Sequence, residues 1–407
     1  MFSKYFLENL FNLYNEHEII LHKQNNNVKL SSCYGKYLNS LPKNYIFNFP
    51  NTVILKLTEA CNLRCKHCFY AEQPEYYNKK LELNTEELIA LIDFLADEIN
   101  IFSITLTGGE VLIREDFFDI LKHIKLKNLI VTIQSNGTLI NKKKAKLLGN
   151  ILNNKTDTIQ ISIDGADKIS HEFIRGTGTF DKTINGIKLL RSQNLKVQIN
   201  STLTTISAPK MSNIFNLSKS LDANLLSISR YEVCDNKQQY LKLSNNELMK
   251  YSYEILENAK NFEKIKLNYK ALCILDFLKY PLGRKILEDY IKTNNLRASQ
   301  DKCLVCHHHN KITISSEGNI FLCSMDESND AILGNLRKKN FYEIWENRYN
   351  NPYFQKRDIT TTKCKNCKYI SICNTGCMAS AYKKYNDINF PTSDCCYFEE
   401  YIRDMNK

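Results

Sequence analysis

Between Val53 and Arg230 the chain alternates short β-branched runs with longer stretches whose apolar residues recur every three or four positions. The short runs Val53–Leu57, Ser103–Leu106, Leu129–Gln134, Thr158–Ile163, Lys196–Leu203 and Leu225–Arg230 predict strands. The stretches between them, Thr85–Ile99, Asp116–His123, Lys142–Leu152, Phe180–Gln193 and Pro209–Leu221, predict helices. The first helix puts Leu88, Leu91, Ile92 and Leu95 on one face, with Asn84 as its N-cap. Strands separated by single helices imply parallel βαβ crossovers. Six units fall short of the eight of a closed barrel. The expected class is therefore α/β, a partial (β/α)6 TIM-type barrel, with a flat doubly wound sheet as the competing architecture. In either, the chemistry belongs at the C-terminal ends of the strands.

The flanks behave differently. Residues 1–50 are rich in Phe, Tyr and Asn, with a short helix expected near Lys4–Tyr14, and form an N-terminal extension to a barrel spanning 51–231. Residues 232–300 carry helical spacing over Asn246–Ala259 and Leu272–Tyr290 and form a helical bridge. Residues 301–407 are dense in cysteine, with strand-like Lys311–Ser315 and Ile320–Leu322 around Gly318. Their apolar runs are so short that this module is expected to depend on metal for folding.

Composition removes several classes. With 43% hydrophobic and 24% charged residues the chain can bury a core, and 13 Gly with 7 Pro exclude a collagen-like or low-complexity chain. No run reaches the roughly 18–20 apolar residues needed to span a bilayer. Lys4, Glu8 and Asn9 interrupt the N-terminus where a signal peptide would need an apolar core. A cytoplasmic protein without a membrane partner is expected. The net charge of +11 suits an acidic partner, but Lys and Arg are dispersed, and the densest run, Lys142–Lys146, reads as a solvated helix face. No nucleic-acid partner is expected.

Cysteine changes the picture most. Fifteen in a long chain with no export signal argue for metal or iron–sulfur ligation rather than disulfides. Cys61, Cys65 and Cys68 fall within one loop after the first strand. A [4Fe–4S] cube held by three thiolates keeps one iron open to a ligand. A structural zinc would need a fourth ligand, and His67, adjacent to Cys68, is poorly placed to supply it. Polar segments follow the later strands: Thr107-Gly108-Gly109-Glu110, Gln134-Ser135-Asn136-Gly137 and Ser162-Ile163-Asp164-Gly165. Glycines allow close backbone approach to a ligand, a carboxylate can accept from an ammonium, and hydroxyl and amide groups can bind ribose.

These motifs, in this order, resemble the radical S-adenosylmethionine (SAM) superfamily, whose signature is CxxxCxΦC. His67 occupies the usually aromatic Φ position. The resemblance implies a [4Fe–4S] cluster on Cys61, Cys65 and Cys68, with SAM chelating the open iron. It implies that Thr107, Gly108, Gly109 and Glu110 hold the SAM amino group, that Arg175 pairs with its carboxylate, and that Leu203 contacts adenine. Ser135, Asn136, Ser162, Asp164 and His67 complete the implied SAM site. Reduction of the cluster cleaves SAM to a 5′-deoxyadenosyl radical, with reduced flavodoxin or ferredoxin as the implied electron donor.

The second cysteine set resembles the SPASM domain of the same superfamily. Cys306 is followed after eleven residues by Gly318 and after four more by Cys323; Cys364, Cys367, Cys373 and Cys377 come later, with Cys395 and Cys396 last. The resemblance implies two auxiliary [4Fe–4S] clusters and thus three in all. Cys303, Cys306, Cys323 and Cys377 are assigned to the first, and Cys364, Cys367, Cys373 and Cys395 to the second, with Cys396 as alternative to Cys395. Two zinc sites are the competing reading, kept open by His307, His308 and His309.

The expected function is a peptide-modifying oxidoreductase, a maturase acting on a peptide or protein substrate through a cross-link, thioether or oxidation. A sulfatase-maturing role is disfavoured, because that group places Asp directly after the cysteine matched by Cys323, where this chain has Ser324. The alternatives are a radical SAM enzyme acting on a small molecule such as a porphyrin or sugar precursor, and a non-enzymatic electron carrier. Glu110 and Arg175 weigh against the carrier, which needs no SAM pocket.

Overall fold

All six strands expected between residues 51 and 231 are present in the computed structural model, which describes residues 49–68, 79–231, 236–259, 261–262, 266–270, 281–293, 311–324, 326–352 and 378–389. They are β1 (Thr52–Thr58), β2 (Ser103–Gly108), β3 (Ile130–Ser135), β4 (Thr158–Ser162), β5 (Val197–Leu203) and β6 (Leu225–Arg230). Each pairs in parallel with the next. A further strand, β7 (Lys266–Lys270), pairs in parallel with β6 inside the stretch read as helical. Five residues are too few for hydropathy spacing to separate a strand from a helical turn. The helix expected over Leu272–Tyr290 is described only from its later part, where a helix runs from Pro281 to Thr293.

The helices are α1 (Thr85–Asp93), α2 (Phe117–Leu126), α3 (Lys142–Ile151), α4 (Lys168–Arg175), α5 (Thr179–Ser192), α6 (Ile214–Ser220), α7 (Asn245–Ala259) and α8 (Pro281–Thr293); all but α4, whose Ile174 is buried apart with Tyr231 and Leu241, contribute to the main core. Asn84 caps α1 in a full capping box with Glu87. The expected continuation to Ile99 changes pitch, because Phe94–Glu98 form a π turn in which the Ile99 N–H reaches the Phe94 carbonyl at 3.1 Å. α4 was not anticipated. Asp167 caps it, its side chain accepting from the Ser170 N–H, and Gly176 closes it at φ 101°. The Pro209–Leu221 segment starts as a 3₁₀ turn over Ala208–Asn213 before α6.

The strand faces divide cleanly. Val53, Leu55 and Leu57 of β1 and Ile104 and Leu106 of β2 are fully buried, as are Val131 and Ile133, Ile159 and Ile161, and Val197 and Ile199 on the next three strands. These alternate residues join the helix layer in one core. The opposite face is polar and half-buried, with Thr105, Thr107, Gln134, Gln160, Ser162, Gln198, Asn200 and Thr202. Thr107 Oγ1 donates to Gln134 Oε1 (2.8 Å), and Gln198 Nε2 to Gln160 Oε1 (3.1 Å). Parallel sheets are normally apolar on both faces. A polar face is retained where it lines a space for ligand or water.

Three C-terminal strands extend the same sheet, which has ten strands among the described residues. β8 (Lys311–Ile314) pairs in parallel with β1, and β9 (Asn319–Phe321) and β10 (Ile332–Asn335) follow antiparallel. The sheet thus runs across the boundary set at residue 300. Ile312, Ile314, Ile320, Phe321 and Leu333 pack with Phe341, Ile344 and Trp345 of α9 (Phe341–Glu346) into the main core. The region thus has more apolar packing than its short apolar runs suggested. Its strands are only three or four residues long, so no run was visible, although the alternation was. A last described helix, α10, spans Met378–Tyr385. The helix expected near Lys4–Tyr14 lies outside the described residues.

Polar clamps lock this junction and the end of β1. Arg337 donates to both carboxylate oxygens of Glu87 (2.7 and 2.6 Å) and to the Leu81 and Glu82 carbonyls. That contact holds the Glu87 carboxyl down at about 2. Arg114 donates to the Leu57 and Leu83 carbonyls (2.8 and 3.1 Å) and pairs with Asp116 through Nε and Nη2. Arg114→Ala would remove the donor to two carbonyls and the cation paired with Asp116, which keeps the Thr85 Oγ1 hydrogen bond (2.6 Å). It is expected to lower stability by about 2–4 kcal/mol, read as a fall in the urea midpoint at unchanged slope.

Candidate active site

β1 leads directly into the cysteine loop. Thr58 Oγ1 accepts from the Ala60 N–H (3.0 Å) and starts the turn. Arg64 donates to the Cys61 and Leu63 carbonyls (2.8 and 2.9 Å), the Leu63 N–H points to Cys61 Sγ (3.4 Å), and the Cys68 N–H donates to the Cys65 carbonyl (3.0 Å). The Lys66 N–H donates to the Ile174 carbonyl (2.8 Å), fastening the loop to α4.

The end of β2 lies against the start of that loop. The Gly109 N–H donates to the Thr58 carbonyl and the Glu110 N–H to the Ala60 carbonyl, both at 2.8 Å. A Cβ on Gly108 would stand 2.1 Å from the Thr58 oxygen, and one on Gly109 2.1 Å from the Ala60 oxygen. Gly108 also has φ 129°, which side chains rarely adopt. The two glycines are therefore required by backbone-to-backbone contact.

That contact delivers Glu110 into the interior, where it is fully buried. Its carboxylate accepts from Ser135 Oγ (2.8 Å), the Asn136 N–H (2.7 Å) and the Leu112 N–H (3.2 Å). Burial pushes its carboxyl above the usual range, and the Asn136 and Ser135 hydrogen bonds only partly offset this. Asn136 returns to the cysteine loop by donating to Asn62 Oδ1 (2.9 Å), while Asn62 donates to Thr138 (2.9 Å).

Asp164, after β4, is the second buried carboxylate. Its Oδ1 accepts from the Thr202 N–H (2.8 Å), and its Oδ2 from Arg175 Nε (2.5 Å) and His67 Nε2 (2.7 Å). Burial alone would raise its pKa, but Arg175 first, then His67 and the Thr202 N–H, outweigh burial and hold the carboxyl well below the usual range. Arg175 Nη1 lies 4.0 Å from Cys65 Sγ. Behind this group, His171 Nδ1 accepts from the Asp164 N–H (3.3 Å), and burial brings its pKa down to about 4. Folding thus brings together Cys61, Cys65, His67, Glu110, Ser135, Asn136, Asp164 and Arg175.

Other expected residues fall elsewhere. Thr107 and Ser162 lie on the polar sheet face, and Leu203 is buried in the core, its carbonyl accepting from the Tyr231 N–H (3.1 Å). Of the expected auxiliary ligands only Cys323 is described, buried just past β9. Cys303, Cys306, Cys364, Cys367, Cys373, Cys377, Cys395 and Cys396 lie outside the described residues. Two residues were missed. Lys56 is 2% exposed on the polar face of β1, 2.6 Å from Glu327 and 3.2 Å from Glu59. Its signal was a single charge inside the strand VILKL. His171 gave none, because its role depends on α4.

Three thiols in one loop match the donor set of a [4Fe–4S] cluster that keeps one iron open to a ligand. A cube spreads three thiolates over three irons. Burial pushes Cys65 up to about 11 against the pull of Arg175, and burial also raises Cys61. Iron binding would have to displace both protons, and the Arg175 charge at Cys65 and the Arg64 charge at Cys61 favour that displacement.

Residues 55–210 match the radical SAM superfamily, and residues 303–368 match the SPASM iron–sulfur cluster-binding domain. The chain carries both domains and is a radical SAM/SPASM enzyme, which implies SAM and [4Fe–4S] clusters as cofactors. It is 27% identical over 372 residues to an AdoMet-dependent heme synthase of Methanosarcina barkeri, covering 86% of this chain and 97% of the relative. A sporulation killing factor maturation protein, SkfB of Bacillus subtilis, is 33% identical over 40% of this chain and 38% of its own. The fold matches Streptococcus suis SuiB bound to S-adenosylmethionine with a TM-score of 0.67 at 20% identity, covering 90% and 81% of the two chains. No helix among the described residues is long and apolar enough to cross a membrane.

Two outcomes are expected from this geometry. Gly109→Ala should separate the β2 end from the cysteine loop, weakening SAM binding by at least tenfold with little change in circular dichroism. Asp164, whose folded pKa is lowered, contributes stability that is complete above its unfolded pKa of about 3.9 and is lost as pH falls toward the lower folded value. Asp164→Asn should therefore cost about 3–5 kcal/mol near pH 7 and flatten the acid limb of the stability curve measured by denaturant titration.

Proposed function

We propose that this enzyme acts on a small molecule of the tetrapyrrole class, rather than on a peptide. The observation that carries this is the match to an AdoMet-dependent heme synthase over nearly the whole of both chains. The peptide-maturation relative aligns over two fifths of this chain, and the likeness to SuiB at 20% identity speaks for the fold alone. The expectation of a peptide substrate thus yields to its small-molecule alternative.

The site residues support SAM binding in this reading. Glu110 has three of about four acceptor positions filled, leaving one for an ammonium group, whose charge would also favour its ionised form. Arg175 is anchored to Asp164 through Nε, which orients the rest of its guanidinium toward a carboxylate. Cys61, Cys65 and Cys68 would hold the cluster. When bound, cluster and SAM together supply a radical that abstracts a hydrogen atom from the substrate. The neutral amides Gln134, Gln160, Gln198 and Asn200 line the open sheet face and can bind carboxylate or carbonyl groups without adding charge. In the C-terminal module, Cys303, Cys306, Cys323 and Cys377 would hold one auxiliary cluster. Cys364, Cys367, Cys373 and Cys395, or Cys396 in place of the last, would hold the other, with reduced flavodoxin or ferredoxin as donor.

The test is anaerobic reconstitution followed by incubation with SAM, a strong reductant and carboxylated iron porphyrins. About twelve irons per chain are expected. 5′-Deoxyadenosine should form together with a mass change in one porphyrin. Replacing Cys61, Cys65 and Cys68 by Ala should abolish both. Turnover coupled only to a peptide, with every porphyrin unchanged, would overturn the proposal.

A further inference from the structure

The polar face of the sheet carries one level row of side chains across β1 to β5. Lys56 is in register with Thr107, Gln134 with Gln160, and Gln160 with Gln198. The Thr107 hydroxyl joins β2 to β3 by donating to Gln134 Oε1 (2.8 Å). At the β1 end Lys56 is already paired with Glu327 (2.6 Å) and Glu59 (3.2 Å). At the β5 end Gln198 Nε2 donates to Gln160 Oε1 (3.1 Å). The carbonyl oxygens of Gln134 and Gln160 are thus both occupied, from opposite sides of the pair. Their Nε2 groups have no hydrogen-bond partner among the described residues, and both side chains are half-buried.

Two amides on neighbouring strands therefore turn only donors toward the open side of the sheet. Each amide nitrogen carries two N–H groups. Four donors exceed the two lone pairs of one carbonyl oxygen and match the roughly four acceptor positions of a carboxylate. Paired strands stand about 4.8 Å apart, a gap that one carboxylate spans when each of its oxygens accepts from one amide. The place fits as well. Thr107 and Gln134 directly precede Gly108 and Ser135, so the row lies one step below the segments that hold Glu110, at the end of the sheet where the cysteine loop begins.

We propose that Gln134 and Gln160 form a donor pair that binds a carboxylate of the substrate, with Thr107 and Gln198 holding both amides in the required orientation. The pair then sets specificity for a free acid over its ester. The inference rests on the reading of a carboxylated tetrapyrrole as substrate and names the side chains that select its acid groups.

The test follows binding to the cluster-loaded protein by the absorbance change of the porphyrin, without turnover. Wild type should bind a carboxylated iron porphyrin about tenfold more tightly than its methyl ester. Gln134→Met and Gln160→Met keep the length of the side chain and remove its donors. With iron content and circular dichroism checked first, each should weaken the acid about tenfold and remove most of the preference over the ester. Gln160→Glu sets a like charge against the carboxylate and should weaken the acid more than the ester. Equal affinity of wild type for acid and ester, or a wild-type preference retained in the folded variants, would overturn the proposal and leave the tetrapyrrole reading in place. Should a methionine variant lose its iron, the acid–ester comparison in the unaltered chain decides. A second arm compares propionate with propionamide by saturation-transfer NMR. Wild type should prefer propionate, and the double methionine variant should show no preference. If wild type binds neither porphyrin but keeps this glutamine-dependent preference, the tetrapyrrole reading falls and the donor pair stands. If it binds neither porphyrin and shows no such preference, both fall.

Discussion

The site depends on two backbones in direct contact. Gly108 and Gly109 lie so close to the Thr58 and Ala60 carbonyls that no side chain fits between them. This contact ties the strand carrying the cysteine loop to the strand carrying Glu110. Two hydrogen bonds of 2.8 Å hold it, and the carboxylate follows its backbone into the interior. It is the direct tie between the cysteine loop and Glu110, and the path from Glu110 through Asn136 to Asn62 is a second. Close approach of this kind is what glycine permits and every other residue forbids.

Two buried carboxylates then take opposite electrostatic states. Glu110 is surrounded by neutral donors and is pushed toward its protonated form by burial. Asp164 faces a guanidinium and an imidazole and stays ionised despite equal burial. The difference is one of neighbours rather than of depth. It also separates their tasks. Glu110 is ready to gain from an incoming cation, whereas Asp164 spends its charge on orienting Arg175 and His67.

The C-terminal strands add a third constraint. β8 pairs with β1, so the strand that feeds the cysteine loop is held from both sides. The buried Lys56 bridges the same strand to Glu327, four residues beyond Cys323. The cysteine loop and the strand that leads to Cys323 therefore belong to one sheet and one core. Their separation is set by strand pairing, which is far stiffer than a linker.

Much of this was legible along the chain. Strand–helix alternation, the three-cysteine loop, the Gly-Gly-Glu segment and Arg175 were all visible, because period, spacing and residue type are local properties. The cap of α1 by Asn84 and the parallel order of β1 to β6 also followed from local pattern. Strands β8 and β9 were visible as short strand-like segments around Gly318, but β7, β10 and helix α4 were not, since segments of four to eight residues carry too little periodicity. The resemblance placed Asp164, Arg175 and His67 in one site, but no local pattern contained their direct contact, with Arg175 and His67 sharing one Asp164 oxygen. Nor could it contain the pairing of β8 with β1 or the ion pair of Lys56 with Glu327. Those are contacts across the sheet, set by which strands become neighbours. The sequence by itself determined the chemical groups and their order; tertiary packing alone decided which are buried together, and hence their charge and task.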